Sequence, residues 1–295
     1  MSASGTLGRT VVFDGSPSYY QDSNIIWLAN NEELITNNFL FYVYQIVRYD
    51  SEGGTIQRLY KSIISNTKFY KPSLPEQQKI AEFLSSVDKK IQLLENKKEQ
   101  LELYKKGVMQ KTFSQEICFK DDNGNNYSDW QERKLSDIAK IYQPKTISQA
   151  DLTKDGYDVF GANGIIGKYH SFNHEFNQVV VTCRGSSCGT VNFTNPFSWI
   201  TGNAMVINLD DSFDVNKKFL FFQLYNTDFT YLITGSGQPQ ITADIKSHKV
   251  LLPNLDEQKK IADFLSSIDK KIDCVSVQIE KTKEFKKGLL QQMFV

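Results

Sequence analysis

At 295 residues, 40% of them apolar, the chain is long enough to build two domains with cores of their own. Its 34 basic and 34 acidic side chains cancel, which neither demands nor excludes a nucleic acid, because one face can be basic while the rest is acidic. No apolar run reaches the roughly 18 residues of a membrane span, MSASGTLGRT lacks the apolar heart of an export signal, and four scattered cysteines make no disulfide framework; the expected setting is cytoplasmic, with no membrane partner.

The first 74 residues read as a partial globular module, with an aromatic run, FLFY, at Phe39 and a Gly-rich stretch, GGTIQRLYKSII, at Gly53. Over residues 75–113 the pattern changes. Apolar residues recur every seventh position at Ile80, Val87, Leu94, Leu101 and Val108, with a second row, Leu84 and Ile91, four residues on. That is the spacing of a coiled-coil seam, and Lys, Glu and Asp fill the positions between. Pro75 stands before the helix and Glu76 near its first turn, where the helix dipole favours an acid. About 37 residues predict a rod on the order of 55 Å.

A linker, residues 114–129, carries an Asn-Gly turn in KDDNGNNYSDW. Residues 130–252 read as a mixed α/β module, with strands predicted at 179–183, 190–193 and 204–209 and a helix near Lys217–Tyr225. Residues 253–295 form a second long helix. Pro253 precedes it, Asp256 and Glu257 open it, and its seam rows are Ile261, Ile268, Val275, Thr282, Leu289 and Leu265, Ile272, Ile279.

The two helices are nearly one text written twice. EQQKIAEFLSSVDKKI starts at Glu76 and EQKKIADFLSSIDKKI at Glu257, an offset of 181 residues that holds without a gap from 76–113 to 257–294. A lone helix with such a stripe cannot stay exposed, so the two are expected to pack on each other. They should run antiparallel, since the long module between them lets the chain return. Gly107 and Gly288 fall at equivalent places late in the helices, at a cost of about 1 kcal/mol each relative to alanine. They mark either fraying or a close approach by another chain.

Weaker matches continue upstream. FLFY at Phe39 answers FLFF at Phe219, GGTIQRLYKSII at Gly53 answers GSGQPQITADI at Gly235, and ASGTLG at Ala3 answers SCGTV at Ser187. Each repeat is thus a module followed by a long helix. By this alignment Met1 stands opposite about Gly185, and roughly 55 residues of the second module have no counterpart in the first.

Catalytic patterns do not appear. A methyltransferase would need a [DN]PP[YF]-type site, and the nearest run, Asn195-Pro196-Phe197, has one proline and sits in the turn FTNPFSW. GANGIIGKY places five residues between Gly161 and Gly167, and Tyr169 where a phosphate loop needs Ser or Thr. His170, His174, Cys183 and Cys188 have tolerable spacing for zinc, but Cys183 ends a predicted strand and the two histidines fit a polar loop. Neither a metal nor a cofactor is expected.

Module, long helix, module, long helix, with the helices opening on LPEQQKIAEFLSSVDKKI and LPNLDEQKKIADFLSSIDKKI, resembles the specificity (S) subunit of type I restriction–modification systems. YDVFGANGIIGKY at Tyr157, TCRGSSCGTV at Thr182 and GSGQPQIT at Gly235 add to the resemblance, which covers essentially the whole chain. It implies two α/β target-recognition domains joined by two long helices in an antiparallel coiled coil, with a pseudo-two-fold internal repeat. It further implies a non-catalytic subunit that reads a bipartite site in double-stranded DNA. Two methyltransferase subunits would dock on the helices, and restriction subunits would join in the full complex. A coiled-coil scaffold that binds other proteins is the alternative.

A DNA reader without a catalytic site must use polar and basic side chains on loops. In the second module the candidates are Lys145, Asn163, Lys168, Tyr169, Arg184, Ser186, Gln238 and Gln240; in the first, Gln57 and Arg58. Arg and Lys reach guanine O6/N7 or phosphate, and Asn and Gln pair with adenine. The short first module is expected to read its half-site weakly unless another chain supplies the missing piece.

Overall fold

The computed structural model of the chain describes residues 1–3, 8–17, 24–47, 59–235 and 237–294. In chain order its elements are α1 (Asn37–Ile46), α2 (Lys61–Ser65), α3 (Leu74–Phe113), β1 (Gln131–Lys134), α4 (Leu135–Ile138), β2 (Lys140–Tyr142), β3 (Tyr157–Gly161), β4 (Gly164–Tyr169), β5 (Val179–Thr182), β6 (Val191–Phe193), β7 (Trp199–Ile200), β8 (Ala204–Asn208), α5 (Lys217–Tyr225), β9 (Ile233–Thr234), β10 (Gln240–Ile241), β11 (Lys249–Leu252) and α6 (Leu255–Met293). They form two compact units, residues 1–100 with 272–295, and residues 101–271.

The second unit holds a four-stranded antiparallel sheet, β2-β8-β5-β6, and a three-stranded sheet, β4-β3-β7, in which β3 and β7 run parallel. β5 reads VVVT and is buried on both faces, which is why it is an unbroken β-branched run rather than an alternating one. Phe160, Val180, Ile200, Ala204 and Val206 form one core cluster, and Tyr142 packs against it. The helix α5 is capped by Asn216, whose side chain accepts a hydrogen bond from the Phe219 amide at 3.0 Å. The hairpin β3–β4 was not anticipated from the sequence, because its Gly-Ala-Asn-Gly turn and two glycines blur the strand pattern.

The long helices bury the predicted rows. Leu84, Val87, Ile91, Val108, Ile261, Leu265, Ile268, Val275 and Ile279 are buried, and Ile80, Leu94, Leu101, Ile272, Thr282 and Leu289 are half-buried. Ion pairs fix the direction. In the first unit Asp88 meets Lys286 at 2.7 Å and Glu95 meets Lys283 at 2.8 Å; in the second Lys105 meets Asp269 at 2.5 Å. In the first unit rising numbers on α3 meet falling numbers on α6, so the packing there is antiparallel. Both helices start differently from expectation: α3 includes Leu74 and Pro75, and α6 starts at Leu255. Proline is at home in a first turn, where its missing N–H has no partner to lose. The helices run through Gly107 and Gly288, and a Cβ on either would meet nothing within 4 Å, so no contact within the chain requires glycine there.

Around its aromatic helix the first unit repeats the contacts of the second. α1 corresponds to α5: Thr36 caps it, accepting from the Phe39 amide at 3.3 Å, as Asn216 caps α5. Phe39 packs on Phe294 (5.3 Å between centroids) as Phe219 packs on Phe113 (5.7 Å). Lys286 sits over the Tyr42 ring at 5.5 Å as Lys105 sits over Phe222 at 5.2 Å.

Backbone hydrogen bonds correct the register at the start of the chain. Ser2 N–H donates to Arg9 O as Thr182 does to Thr190 O; Ala3 N–H donates to Asn24 O as Cys183 does to Asn203 O; Leu59 N–H donates to Ala3 O as Ile241 does to Cys183 O. Met1 therefore stands opposite Val181, not Gly185, and residues 1–74 contain counterparts of 181–252. Among the described residues this module has α1, α2 and an isolated bridge, Ser2 to Ile25, rather than a full α/β layer.

Candidate nucleic-acid interface

Five loops of the second unit converge around the Cys183 thiol. Gln143 donates to Sγ at 2.9 Å, and Sγ lies 3.6 Å from the Gly202 carbonyl and 3.2 Å from that of Asn203. The thiol is fully buried, and burial pushes its pKa up, so it stays protonated and serves as a hydrogen-bonded post. From it the backbone radiates. Ile241 N–H donates to Cys183 O at 3.0 Å, Gly185 N–H to Pro239 O at 3.0 Å, and Arg184 bridges antiparallel to Gln240. The Thr182 hydroxyl donates to the Ala162 carbonyl, tying the β3–β4 turn to the end of β5.

Two glycines make these turns possible. Gly164 adopts φ +102° beside Asn163, and Gly235 adopts φ +90°, where a Cβ would lie 2.5 Å from the Gln238 carbonyl oxygen. The result is one rim on which Asn163, Arg184, Ser186, Gln238 and Gln240 are all exposed. Lys145 is exposed on the neighbouring 143–147 loop, its carbonyl accepting from Trp199 Nε1 at 3.3 Å.

Two expected residues stand apart. Lys168 and Tyr169 lie at the base of the β3–β4 hairpin, opposite Asp158 and Tyr157, whereas Asn163 is at its tip. Lys168 pairs with Asp158 at 2.5 Å, and that contact holds the Asp158 carboxyl below its usual range. Tyr169 packs edge-on to Trp199 at 4.9 Å. Gln57 and Arg58 lie outside the described residues. Sequence reasoning passed over Ile165 and Ile166, each 53% exposed beside the hairpin tip. Two consecutive isoleucines between glycines were the available signal, since only one of such a pair can face a core.

The motifs that hinted at other chemistry are structural. His174 donates from Nδ1 to Asn173 Oδ1 (2.6 Å) and accepts from the Tyr142 hydroxyl at Nε2 (2.8 Å), while burial keeps its pKa low. That leaves no lone pair for a metal, and no group of three or more metal-ligating side chains occurs among the described residues. Asn195 donates to Asp158, and Phe197 sits at φ +50° in the same turn. No helix among the described residues is long and apolar enough to cross a membrane.

Sequence reasoning also missed a pair of buried glutamines. Gln77 Oε1 accepts from the Thr36 amide (3.0 Å) while Nε2 donates to Leu34 O (3.1 Å) and Pro72 O (3.0 Å). Gln258 makes the same three bonds, from Asn216 N (2.8 Å) and to Asp214 O (3.0 Å) and Pro253 O (2.9 Å). Each glutamine clamps the cap of a module helix to the first turn of the long helix. The repeated Glu-Gln was the visible signal.

Polar loops held at the edge of a sheeted unit, in a chain that carries one long helix twice, mark a recognition protein. The family model for the type I restriction modification DNA specificity domain matches residues 1–103 and 127–283, and the chain belongs to that family of specificity subunits. A type I restriction enzyme MjaVIII specificity subunit from Methanocaldococcus jannaschii is 25% identical over 91% of this chain and 72% of its own. A putative specificity subunit, S.HindORF215P, from Haemophilus influenzae is 48% identical, over 30% of this chain and 23% of its own. A crystal structure of a type I restriction–modification S subunit from M. genitalium shares the fold, with a TM-score of 0.66 at 17% identity, covering 90% of this chain and 74% of that one.

Proposed function

We propose that the chain reads double-stranded DNA in a type I restriction–modification complex, and that the Cys183-centred rim of the second unit is the reading surface. The observation that carries this reading is the convergence of an arginine, an asparagine and two glutamines on one exposed edge, with Lys145 exposed on the neighbouring loop. Arg184 offers a two-pronged donor suited to guanine, and Asn163, Gln238 and Gln240 offer the donor–acceptor pair suited to adenine. Ile165 and Ile166 suit a thymine methyl. Lys168, being paired with Asp158, is assigned a supporting place rather than a base contact.

In this reading methyltransferase subunits dock on the repeated helices and restriction subunits join the complete assembly, in the cytoplasm. Methylation sequencing of cells with and without the gene tests it. The bipartite motif should vanish without the gene. Arg184→Ala with Gln240→Ala should relax one half of the motif only, since a lost bidentate contact costs about 1–3 kcal/mol of base discrimination. A motif indifferent to the gene, or to the double substitution, would refute the assignment.

A further inference from the structure

The segment that follows α3, residues 114–129, is a folded wall of the second unit rather than a loose tie. Gln115 turns it out of the helix at φ +62°, a left-handed conformation that residues other than glycine rarely adopt. Lys120 bridges antiparallel to Asn126, and Asp121 Oδ1 accepts from the Asn123 and Asn125 amides at 2.9 and 2.7 Å. The Lys260 ammonium of α6 ties the segment down, donating to the Lys120 carbonyl at 3.0 Å and pairing with Asp122 at 2.5 Å. Phe119 packs edge-on to Phe264 of α6 at 5.8 Å.

Between this wall and the first turn of α6 lies a cavity of about 190 Å³. Phe119, Tyr127 and Trp130, all half-buried, give it three aromatic rings, and Asp129 and Glu257 give it two carboxylates. No basic side chain lines it among the described residues. Lys260, 5.9 Å from the Tyr127 ring, is already taken up by Asp122. Glu257 is only 4% exposed, yet its Oε2 has no hydrogen-bond partner. The carboxylate accepts from the Trp130 indole, which leaves that one oxygen for an incoming donor. A buried acceptor left unmade is costly. Water can satisfy such an oxygen but gains nothing from the rings, whereas a cation gains from both.

We propose that this cavity binds one alkylammonium group, carried either by a free amine or by a lysine side chain of another protein. The ammonium donates to Glu257 Oε2 and lies against the Phe119, Tyr127 and Trp130 rings, while Asp129 adds a second negative charge. A single open oxygen favours an ammonium over a guanidinium, whose two-pronged donor is matched to both oxygens of a carboxylate. Aromatic rings grouped about a cation are a general means of ammonium recognition. The site does not depend on which DNA the rim reads.

The test follows the indole N–H resonances of the full chain, isotope-labelled at tryptophan, as n-butylammonium chloride is added at constant ionic strength. The expected result is a saturable shift of the Trp130 signal, with those of Trp27 and Trp199 unmoved. Glu257→Gln should weaken binding at least about tenfold, as loss of a charged acceptor does. Glu76→Gln, the same change at the exposed repeat position, should leave binding unaltered. Unmoved Trp27 and Trp199 signals in each variant show that it is folded. Butylguanidinium should bind more weakly, and n-butanol should not shift the signal. Nα-acetyl-lysine methylamide separates the two sources. Tighter binding than butylammonium supports a protein's lysine, and weaker binding supports a free amine. No saturable shift, a shift that n-butanol reproduces, equal binding of butylguanidinium, or an affinity indifferent to Glu257→Gln overturns the proposal.

Discussion

Gln258 and Gln77 carry more of each unit than their neighbours suggest. Each satisfies one backbone N–H and two backbone carbonyls in a site closed to water. Gln258→Ala strands those groups and should cost about 3 kcal/mol in denaturant unfolding. A loss under about 0.5 kcal/mol would show that the clamp is incidental. Glu257, one residue earlier, behaves in the opposite sense. Burial raises its pKa, and its Oε2 finds no hydrogen-bond partner. Below the ordinary glutamate value of about 4.3 the carboxyl is protonated folded or unfolded and costs nothing. As pH rises through that value toward the raised folded one, stability falls, because the unfolded chain ionises first. Glu257→Gln should therefore stabilise the protein at pH 7, and the gain should fade as pH drops below about 4. A gain that instead grows at low pH would contradict the assignment.

At the scale of elements, the antiparallel helices stand on residues such as Val87 and Ile268, both buried. Val87→Asp with Ile268→Asp buries two charges without partners and should abolish the cooperative melting transition, since one such charge costs about 3–5 kcal/mol. An unchanged melting curve would mean that the seam is misplaced. Lys105 and Lys286, partly exposed, bind Asp269 and Asp88 across the helices, but surface pairs contribute at most about 1 kcal/mol. The helices were legible in the sequence because the seven-residue period survives any context. So was α5, whose bounds match expectation, because Asn216 supplies a cap and FLFF a buried face. The hairpin β3–β4 and the pair β1–β11 were not, since QERK has no apolar alternation and forms only because β11 offers it an edge. The rim around Cys183 was legible as residue types but not as a place. Nothing local says that Arg184 will lie opposite Gln240, 56 positions on, or that Lys168 will be taken up by Asp158.

At the scale of the molecule, both units repeat the glutamine clamp, the aromatic pair and the ammonium over a ring, while the loops differ. Shared surfaces are what two like partners require, and docking of a methyltransferase subunit should follow them. A chain in which a short linker replaces residues 130–252 should still co-purify with that subunit. Co-purification of an isolated module instead would place the docking surface on the loops.

One contact also sets an order of events during synthesis. Phe39 packs against Phe294, 255 positions later, so the first unit cannot close until residue 294 has been made. The second unit is a single continuous stretch, residues 101–271. The half of the protein that is translated first is thus the half that finishes last. Until then its aromatic helix lacks the cover of Leu289, Leu290, Met293 and Phe294, in the interval when exposed apolar surface is most open to wrong pairing. Protease pulses during cell-free translation should find residues 130–252 resistant before residues 1–74.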